Sequence, residues 1–282
     1  MEIINTISDM QAYSAKARRA GRIIGLVPTM GFLHEGHMSL IDIARRESDI
    51  VIVSIFVNPT QFGPNEDFSR YPRDFERDCA LCKSREVDAV FAPEADEMYP
   101  NNSSTWVLEE KLSTGLCGRY RPGHFRGVAT IVAKLFLAAL PDIAVFGQKD
   151  AQQLMVLKRM VRDLNFPIRV IAAPIVREAD GLAMSSRNKY LSADERKRAL
   201  SISQALDAAC IAVSEGERNA EKLLASIREK ISGAGGRIDY VEAVDAENLT
   251  PVLQIENSIL FAVAAFFGST RLIDNALAVP NP

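Results

Sequence analysis

The sequence has few histidines, little net charge and no long apolar run. Of its 282 residues only three are histidine, and the formal net charge is −3. Such a chain has no general basic field to attract nucleic acid or anionic membranes, so any anion site must be local. No apolar run approaches the roughly 18 residues of a membrane span, and the first residues lack the apolar stretch of a secretory signal. We therefore expect a cytoplasmic protein that binds neither nucleic acid nor membrane.

Cysteine is also scarce, and two common glycine motifs are missing. Among the four cysteines only Cys79 and Cys82 are close in sequence, and no second pair matches their spacing. This favours reduced structural thiols over a zinc site, and we predict no metal-ligating residues. Neither GxGxxG nor the P-loop pattern occurs, which disfavours dinucleotide oxidoreductases and P-loop kinases.

Short β-branched apolar runs alternate with helical patterns through the first 176 residues. The predicted strands are 22–27, 49–57, 88–93, 142–147 and 168–173. The predicted helices are 37–48, 71–85, 127–140 and 150–164, the last with an apolar stripe of Leu154, Leu157, Met160, Val161 and Leu164. This alternation is typical of an α/β fold, so we predict a Rossmann-like parallel sheet domain with helices on both faces over residues 1–176.

The pattern changes in the last hundred residues. Ser192 and Glu195 form a capping-box signature at the start of a helix. A second predicted helix covers 219–231, and the runs "RIDYVEAVDA" and "ILFAVAAFF" are typical of antiparallel strands. We therefore predict a smaller α+β C-terminal domain over residues 177–282, and we expect it to act as a lid.

The stretch "PTMGFLHEGHMSL", residues 28–40, holds two of the three histidines. It follows the first predicted strand and leads into a helix, where parallel sheets bind ligands and free N–H groups attract anions. Gly31 and Gly36 allow a ligand to approach the backbone, and His34 and His37 can donate hydrogen bonds to phosphate oxygens. One loop histidine would more often cap or pack, but the Gly-His pairing at this junction favours a phosphate site.

The HxGH form is that of nucleotidyl-transferring enzymes, and "PTMGFLHEGHMSLI" closely resembles the pantothenate synthetase family. Four further segments agree with that family, in its order: "SIFVNPTQF", "GRYRPGHFRGVATIVAKLF", "VFGQKDAQQ" and "MSSRNKYLS". Phe32 departs from the small residue usual after "PTMG", and Leu137 stands where Asn is common. These departures affect the expected substrate geometry and leave the reaction class unchanged.

The resemblance implies ATP-dependent condensation of pantoate with β-alanine through a pantoyl adenylate. It implies the substrates ATP, pantoate and β-alanine, Mg²⁺ carried on the phosphates, and a homodimer. The catalytic residues would be His34, His37, Lys149 and Arg187. The ATP-binding residues would be Met30, Gly31, Phe32, Leu33, His34, Glu35, Gly36, His37, Gly147, Gln148, Lys149, Asp150, Val176, Met184, Ser185, Ser186 and Arg187. Pantoate and β-alanine would contact Asn58, Gln61 and Gln153, and Arg121 would be a further phosphate contact.

The same residues have less specific interpretations when the resemblance is set aside. Asn58 before proline is typical of a turn, Lys149–Asp150 of a solvated surface pair, and the basic loop around Arg121 of an exposed surface. Two other functions stay open at this point. One is an adenylyl- or cytidylyltransferase with a different acceptor, and the other is a nucleotide-sensing module without chemistry.

Overall fold

The computed structural model describes residues 1–64 and 66–281, so Pro282 of the predicted second domain lies outside the described residues. The chain forms two compact units. The first contains Met1–Glu110, Arg121–Gln148 and Val156–Pro174, and the second contains Lys111–Tyr120, Lys149–Met155 and Ile175–Pro282. The main division lies beside the predicted boundary at 176, while two short earlier segments group with the second unit. The lid role stays a prediction.

The first unit is built on a six-stranded parallel sheet, which confirms the predicted fold class. In chain order its strands are β1 Glu2–Ile4, β2 Ile24–Thr29, β3 Ile50–Ile55, β4 Ala89–Phe91, β5 Ile143–Gly147 and β6 Arg169–Ala173. Their order across the sheet is β1-β4-β3-β2-β5-β6. The short strand β1, which pairs with β4, was not predicted because three residues carry too little pattern.

Helices connect these strands and continue through the second unit. They are α1 Ile7–Arg19, α2 Glu35–Glu47, α3 Phe75–Ser84, α4 Ala95–Met98, α5 Leu116–Tyr120, α6 His124–Ala139, α7 Ala151–Asp163, α8 Ala193–Ser214 and α9 Ala220–Gly233. Of the helices in the described parts of the chain, none has both the length and the apolar content for a membrane crossing.

Both faces of the parallel sheet are covered. Val27 and Val53 pack with Ile41 of α2 in one buried cluster. Leu26 is paired with Ile52 in the sheet, and because alternate residues of a strand point to opposite faces, this pair lies on the other side. Leu26 and Ile52 are also fully buried. Apolar runs without polar alternation are what such a two-sided environment requires.

The predicted stripe of α7 is correct only in part. Leu154, Leu157 and Met160 are buried, but α7 ends at Asp163 and Leu164 is 53% exposed. The chain leaves the helical conformation just afterwards, since Asn165 has φ of 56°. The apolar spacing in the sequence therefore continues one residue beyond the end of the helix, and Leu164 does not belong to the buried stripe.

The second unit has a three-stranded antiparallel sheet in the order β7-β8-β9. Its strands are β7 Arg237–Asp245, β8 Ile259–Phe267 and β9 Thr270–Ala278, and β9 was not predicted. Phe261 and Phe267 of β8 pack with Leu206 of α8 in its core. The predicted capping box is confirmed, because Ser192 N–H donates to Glu195 Oε2 at 2.8 Å and Glu195 N–H to Ser192 Oγ at 3.2 Å.

Helix α6 approaches the 3-10 turn Pro59–Gln61 so closely that Gly127 has no room for a side chain. A Cβ there would lie 2.4 Å from Thr60 O and 2.8 Å from Gln61 N, both backbone atoms. We expect Gly127→Ala to lower the free energy of unfolding by about 1–3 kcal/mol, as overpacking does. In Gly233→Ala, a Cβ meets nothing within 4 Å, and we expect a change within about 1 kcal/mol. Denaturant titration of both variants checks this, and equal effects would contradict it.

Candidate active site

The predicted ATP segments of the first unit leave neighbouring strands at a switch point of the sheet. β2 lies between β3 and β5, so the strands that follow it in the chain are placed on its two sides. Residues 30–37 follow β2, and Gly147 ends β5. Ligands of open parallel sheets bind at the carboxyl ends of strands at such a point. A Cβ on Gly147 would meet no atom within 4 Å, so the backbone borders open space there.

The turn after β2 is held by a buried carboxylate on α3. Gly31 has φ of 79° and Phe32 of 51°, the left-handed region that costs a non-glycine residue about 1–2 kcal/mol. Asp78 opposes that cost, because its two oxygens accept hydrogen bonds from the N–H groups of Phe32 and Leu33, each at 2.7 Å. Thr29 Oγ1 accepts a third hydrogen bond, from Gly31 N–H at 3.1 Å.

Asp78 is 1% exposed. Burial raises the pKa of its carboxyl above the ordinary value, and the hydrogen bonds from Leu33 and Phe32 oppose that rise without cancelling it. No site residue predicted from the sequence lies on α3. A lone aspartate in a helical pattern, more than forty residues from the turn, carries no local signal of this contact.

Phe32, which departs from the family pattern, directs its ring toward α3. The guanidinium of Arg77 lies 5.4 Å from the centre of that ring, and its Nη1 donates to Leu33 O at 3.0 Å. Leu33 is itself fully buried in the core. Its backbone N–H and C=O groups are both bonded to side chains of α3, those of Asp78 and Arg77.

The two imidazoles lie side by side at the start of α2. Their ring centres are 4.0 Å apart, and His34 is the N-cap residue. The N–H of His34 donates to Nδ1 of His37 at 3.2 Å. Because Nδ1 accepts, a neutral His37 ring carries its hydrogen on Nε2. His37 is thus set to donate a hydrogen bond from that atom.

The remaining residues of this segment have diverse environments. Met30 Sδ accepts a hydrogen bond from Gln61 Nε2 at 3.1 Å, which brings a predicted ATP residue to a predicted pantoate residue. Glu35 is exposed, and its carboxylate pairs with Arg85 at 3.3 Å. The carbonyl of Gly36 accepts from Ser39 Oγ at 2.8 Å.

Asn58 and Gln61 are brought together beside α6. Asn58 is 2% exposed, and its Nδ2 donates to Gln61 Oε1 at 3.0 Å and to Gly127 O at 3.2 Å. Its Oδ1 accepts from the hydroxyls of Thr60 and Tyr99, each at 2.9 Å. The amide of Asn58 is therefore occupied within the protein, while Gln61 is half-buried.

Arg121 is engaged by neighbouring protein groups. Its guanidinium contacts the Glu66 carboxylate at 2.5 and 2.7 Å, and Nη2 donates to Gln61 O at 3.3 Å. Burial raises the pKa of Glu66, but the hydrogen bond and charge of Arg121 outweigh burial, so that pKa lies below its ordinary value. His124 Nδ1 lies 2.8 Å from the same Gln61 carbonyl. Binding phosphate through Arg121 would mean exchanging the Glu66 contact.

In the second unit, two predicted ATP segments are tied to β9. Asn275 Nδ2 donates to the carbonyl of Lys149 at 2.9 Å. The neighbouring Asp274 binds Arg177, the residue after Val176, through a two-pronged ion pair at 2.6 and 3.2 Å. The Lys149 ammonium lies 3.9 Å from the Asp150 carboxylate. Neither β9 residue was singled out by the sequence, where both follow an ordinary apolar run.

Five more predicted residues lie in the segment that leads to α8, four of them within residues 184–187. Met184 N–H donates to Val176 O at 3.0 Å, so the carbonyl of Val176 is used there. Ser185 caps the 3-10 turn Ser186–Tyr190 by accepting from Arg187 N–H at 3.3 Å. Ser186 is buried and Arg187 is half-buried.

The two glutamines of α7 have different roles. Gln152 is 7% exposed, and its amide joins Leu112 O, Gly115 O and Cys117 N–H at 2.8 to 2.9 Å. Gln153, the predicted pantoate residue, is half-buried. The sequence did not distinguish the structural glutamine from its neighbour.

We expect Asp78→Ala to destabilise the first unit. It leaves the N–H groups of Phe32 and Leu33 without their acceptor, and each buried unsatisfied donor costs about 1–3 kcal/mol. Removing a buried charge returns part of that cost, so we expect a net loss of about 2 kcal/mol in the free energy of unfolding. The exposed Asp96→Ala is the control and should stay within about 0.5 kcal/mol. Equal stabilities of the two variants in denaturant would contradict the role of Asp78.

Known proteins resemble this chain over nearly its whole length. A family model described as pantoate-beta-alanine ligase matches residues 2–277. A pantothenate synthetase of Thermotoga petrophila is 57% identical over 278 residues, covering 98% of this chain and 99% of the relative. The crystal structure of pantothenate synthetase from Thermus thermophilus has a TM-score of 0.92 at 45% identity, covering 98% of this chain and 99% of that one.

A third relative is known as a complex. The crystal structure of pantoate-beta-alanine ligase from Francisella tularensis, complexed with beta-gamma ATP and beta-alanine, has a TM-score of 0.81 at 35% identity, covering 98% of this chain and 97% of that one. The likeness extends over nearly the whole chain in both sequence and structure, and the five segments predicted it. The chain therefore belongs to the pantoate-beta-alanine ligase family.

Proposed function

We propose that this protein catalyses the ATP-dependent condensation of pantoate with β-alanine. In the first step the pantoate carboxylate attacks the α-phosphorus of ATP, giving pantoyl adenylate and pyrophosphate. In the second step the amine of β-alanine attacks the mixed anhydride, giving pantothenate and AMP. The observation that carries this proposal is the His34–His37 pair, which lies at the carboxyl end of β2 at the switch point of the sheet.

The proposed catalysis consists of positioning and charge stabilisation, without a covalent enzyme intermediate. His37 donates from Nε2 to an oxygen of the reacting phosphate, a role supported by the acceptor function of its Nδ1. His34, Lys149 and Arg187 neutralise further phosphate charge. A carboxylate is a poor acyl donor until it carries a good leaving group, and AMP provides one.

The proposed substrate contacts follow the predicted segments. Gly147 to Asp150, the turn of residues 30–37 and the loop of residues 184–187 hold ATP, with adenine at the backbone of Val176. Gln61 and Gln153 bind pantoate. The occupied amide of Asn58 supports an indirect role for that residue. Arg121 acts as a phosphate contact only if it releases Glu66.

Magnesium would accompany the nucleotide. Within residues 1–64 and 66–281, no three His, Cys, Asp or Glu side chains are grouped as a metal site. We propose that Mg²⁺ is held mainly by phosphate oxygens and water, since it dehydrates reluctantly. We further propose a cytoplasmic homodimer in which residues 177–282 act as a lid.

The test of this function is AMP formation from ATP, pantoate and β-alanine. Pyrophosphate release should depend on pantoate, which excludes a nucleotidyltransferase with another acceptor, and turnover to AMP excludes a sensor without chemistry. We expect His37→Ala to reduce turnover by about a hundredfold or more, as loss of one transition-state donor does. The thermal unfolding midpoint should stay near that of the wild type. Near-normal adenylation by this variant would rule out the proposed role.

Gly147→Ala tests the nucleotide position separately. A Cβ there meets no protein atom, so the substitution should leave stability unchanged. It should raise KM for ATP about tenfold or more if the phosphates approach this backbone, since a misplaced substrate is costly. Gly115→Ala also adds a Cβ in open space and should not change KM for ATP. Unchanged kinetics in Gly147→Ala would place the nucleotide elsewhere.

A further inference from the structure

The polarity of the Gln61 side chain is fixed by neighbouring groups of the protein. Two backbone groups have a fixed hydrogen-bonding role, because the carbonyl of Gly127 can only accept and the N–H of Thr60 can only donate. Asn58 Nδ2 lies 3.2 Å from Gly127 O, and Asn58 Oδ1 lies 3.4 Å from Thr60 N. Reversing the Asn58 amide would set like groups against each other at both contacts.

Two hydroxyl groups complete this arrangement. Tyr99 Oη and Thr60 Oγ1 each donate to Asn58 Oδ1 at 2.9 Å, beside the longer contact from Thr60 N–H, and the two hydroxyl oxygens lie 3.1 Å apart. The Tyr99 ring is held by stacking on Trp106, with centres 6.3 Å apart. Burial raises the pKa of Tyr99, so its hydroxyl stays protonated and remains a donor near neutral pH.

The orientation of the Asn58 amide determines that of the Gln61 amide. The second hydrogen of Asn58 Nδ2 is donated to Gln61 Oε1 at 3.0 Å, so Gln61 must direct its NH₂ group away from Asn58. That group meets Met30 Sδ at 3.1 Å, and a thioether is only a weak acceptor. A stronger oxygen acceptor on a ligand would readily replace it.

We propose that Tyr99 is a positioning residue that acts through Asn58 to make Gln61 a donor to the substrate. This rests on the proposed function and deepens it, because it assigns the chemistry that Gln61 reads. The site selects an acid that presents an acceptor oxygen at this wall, either a carboxylate or the lone pair of a hydroxyl. Asn58 acts through Gln61 and makes no contact of its own with the substrate.

The experiment compares Tyr99→Phe with wild type in initial-rate assays. Removing one hydroxyl keeps the stacked ring and should raise KM for pantoate about two- to tenfold, the effect of one net hydrogen bond. KM for ATP should not change. Thr60→Val should have a similar effect and Thr60→Ser should restore the wild-type value. Tyr13→Phe, a half-buried tyrosine on α1, is the matched control and should change neither constant.

A double-mutant cycle separates action through Gln61 from a general structural effect. In the Gln61→Met background, Tyr99→Phe should have no further effect on KM for pantoate. An equal effect in both backgrounds, or an equal rise in both KM values, would overturn the proposal. The proposed function itself is tested in the wild-type protein. If AMP formed there without pantoate, the proposed function would fail, whatever the variants showed.

A measurement without substrate completes the test. The side-chain amide hydrogens of Asn58, resolved by NMR, should exchange faster with solvent in Tyr99→Phe than in wild type and Tyr13→Phe. Unchanged exchange would overturn the proposal even if the assays gave no activity.

Discussion

The position of the two imidazoles depends on the carboxylate of Asp78. A tight turn must bring the chain from the end of β2 to the start of α2, and it does so with Phe32 in the left-handed region. Two hydrogen bonds from consecutive N–H groups hold that conformation. The same carboxylate is buried, so it loses its hydration by water in order to bind the turn. The fold thus maintains a locally unfavourable conformation where the proposed phosphate site begins.

The side chains that we propose bind substrate are oriented by successive hydrogen bonds that end at backbone groups. Gln61 is held by Asn58, and Asn58 is oriented by the carbonyl of Gly127. This chain of contacts requires α6 to lie against the turn of residues 59–61, and only glycine permits that approach. In the second unit, Asn275 holds the backbone of Lys149 in a comparable way. Orientation therefore comes from secondary structure, which is more rigid than a loop.

The sequence predicted the features that repeat or follow a family pattern. Five strands of the parallel sheet were found because each lies in a short apolar run rich in β-branched residues. β1 and β9 were missed, the first because it is too short and the second because its polar residues interrupt the pattern. Leu164 shows that periodicity does not reveal where a helix ends.

The site residues remain a prediction, and the residues that support them were not identified from the sequence. Asp78, Tyr99 and Asn275 act on residues far from them in sequence, and no local spacing records such contacts. Asn58 and Arg121 were predicted as substrate contacts, and in the structure their hydrogen-bond partners are side chains and carbonyls of the protein. A motif identifies which residue types the chemistry needs, whereas their orientation is set by tertiary packing.

The second unit is assembled from three separate stretches of chain, and this affects how it can be made and exchanged. Lys111–Tyr120 and Lys149–Met155 are synthesised well before the bulk of that unit. During translation these two segments are made before residues 175–282, the rest of their unit, whereas the parallel sheet is already able to form. A chimera between relatives that joined the chains near residue 176 would combine these two segments with a foreign remainder. Successful recombination would have to transfer all three pieces together.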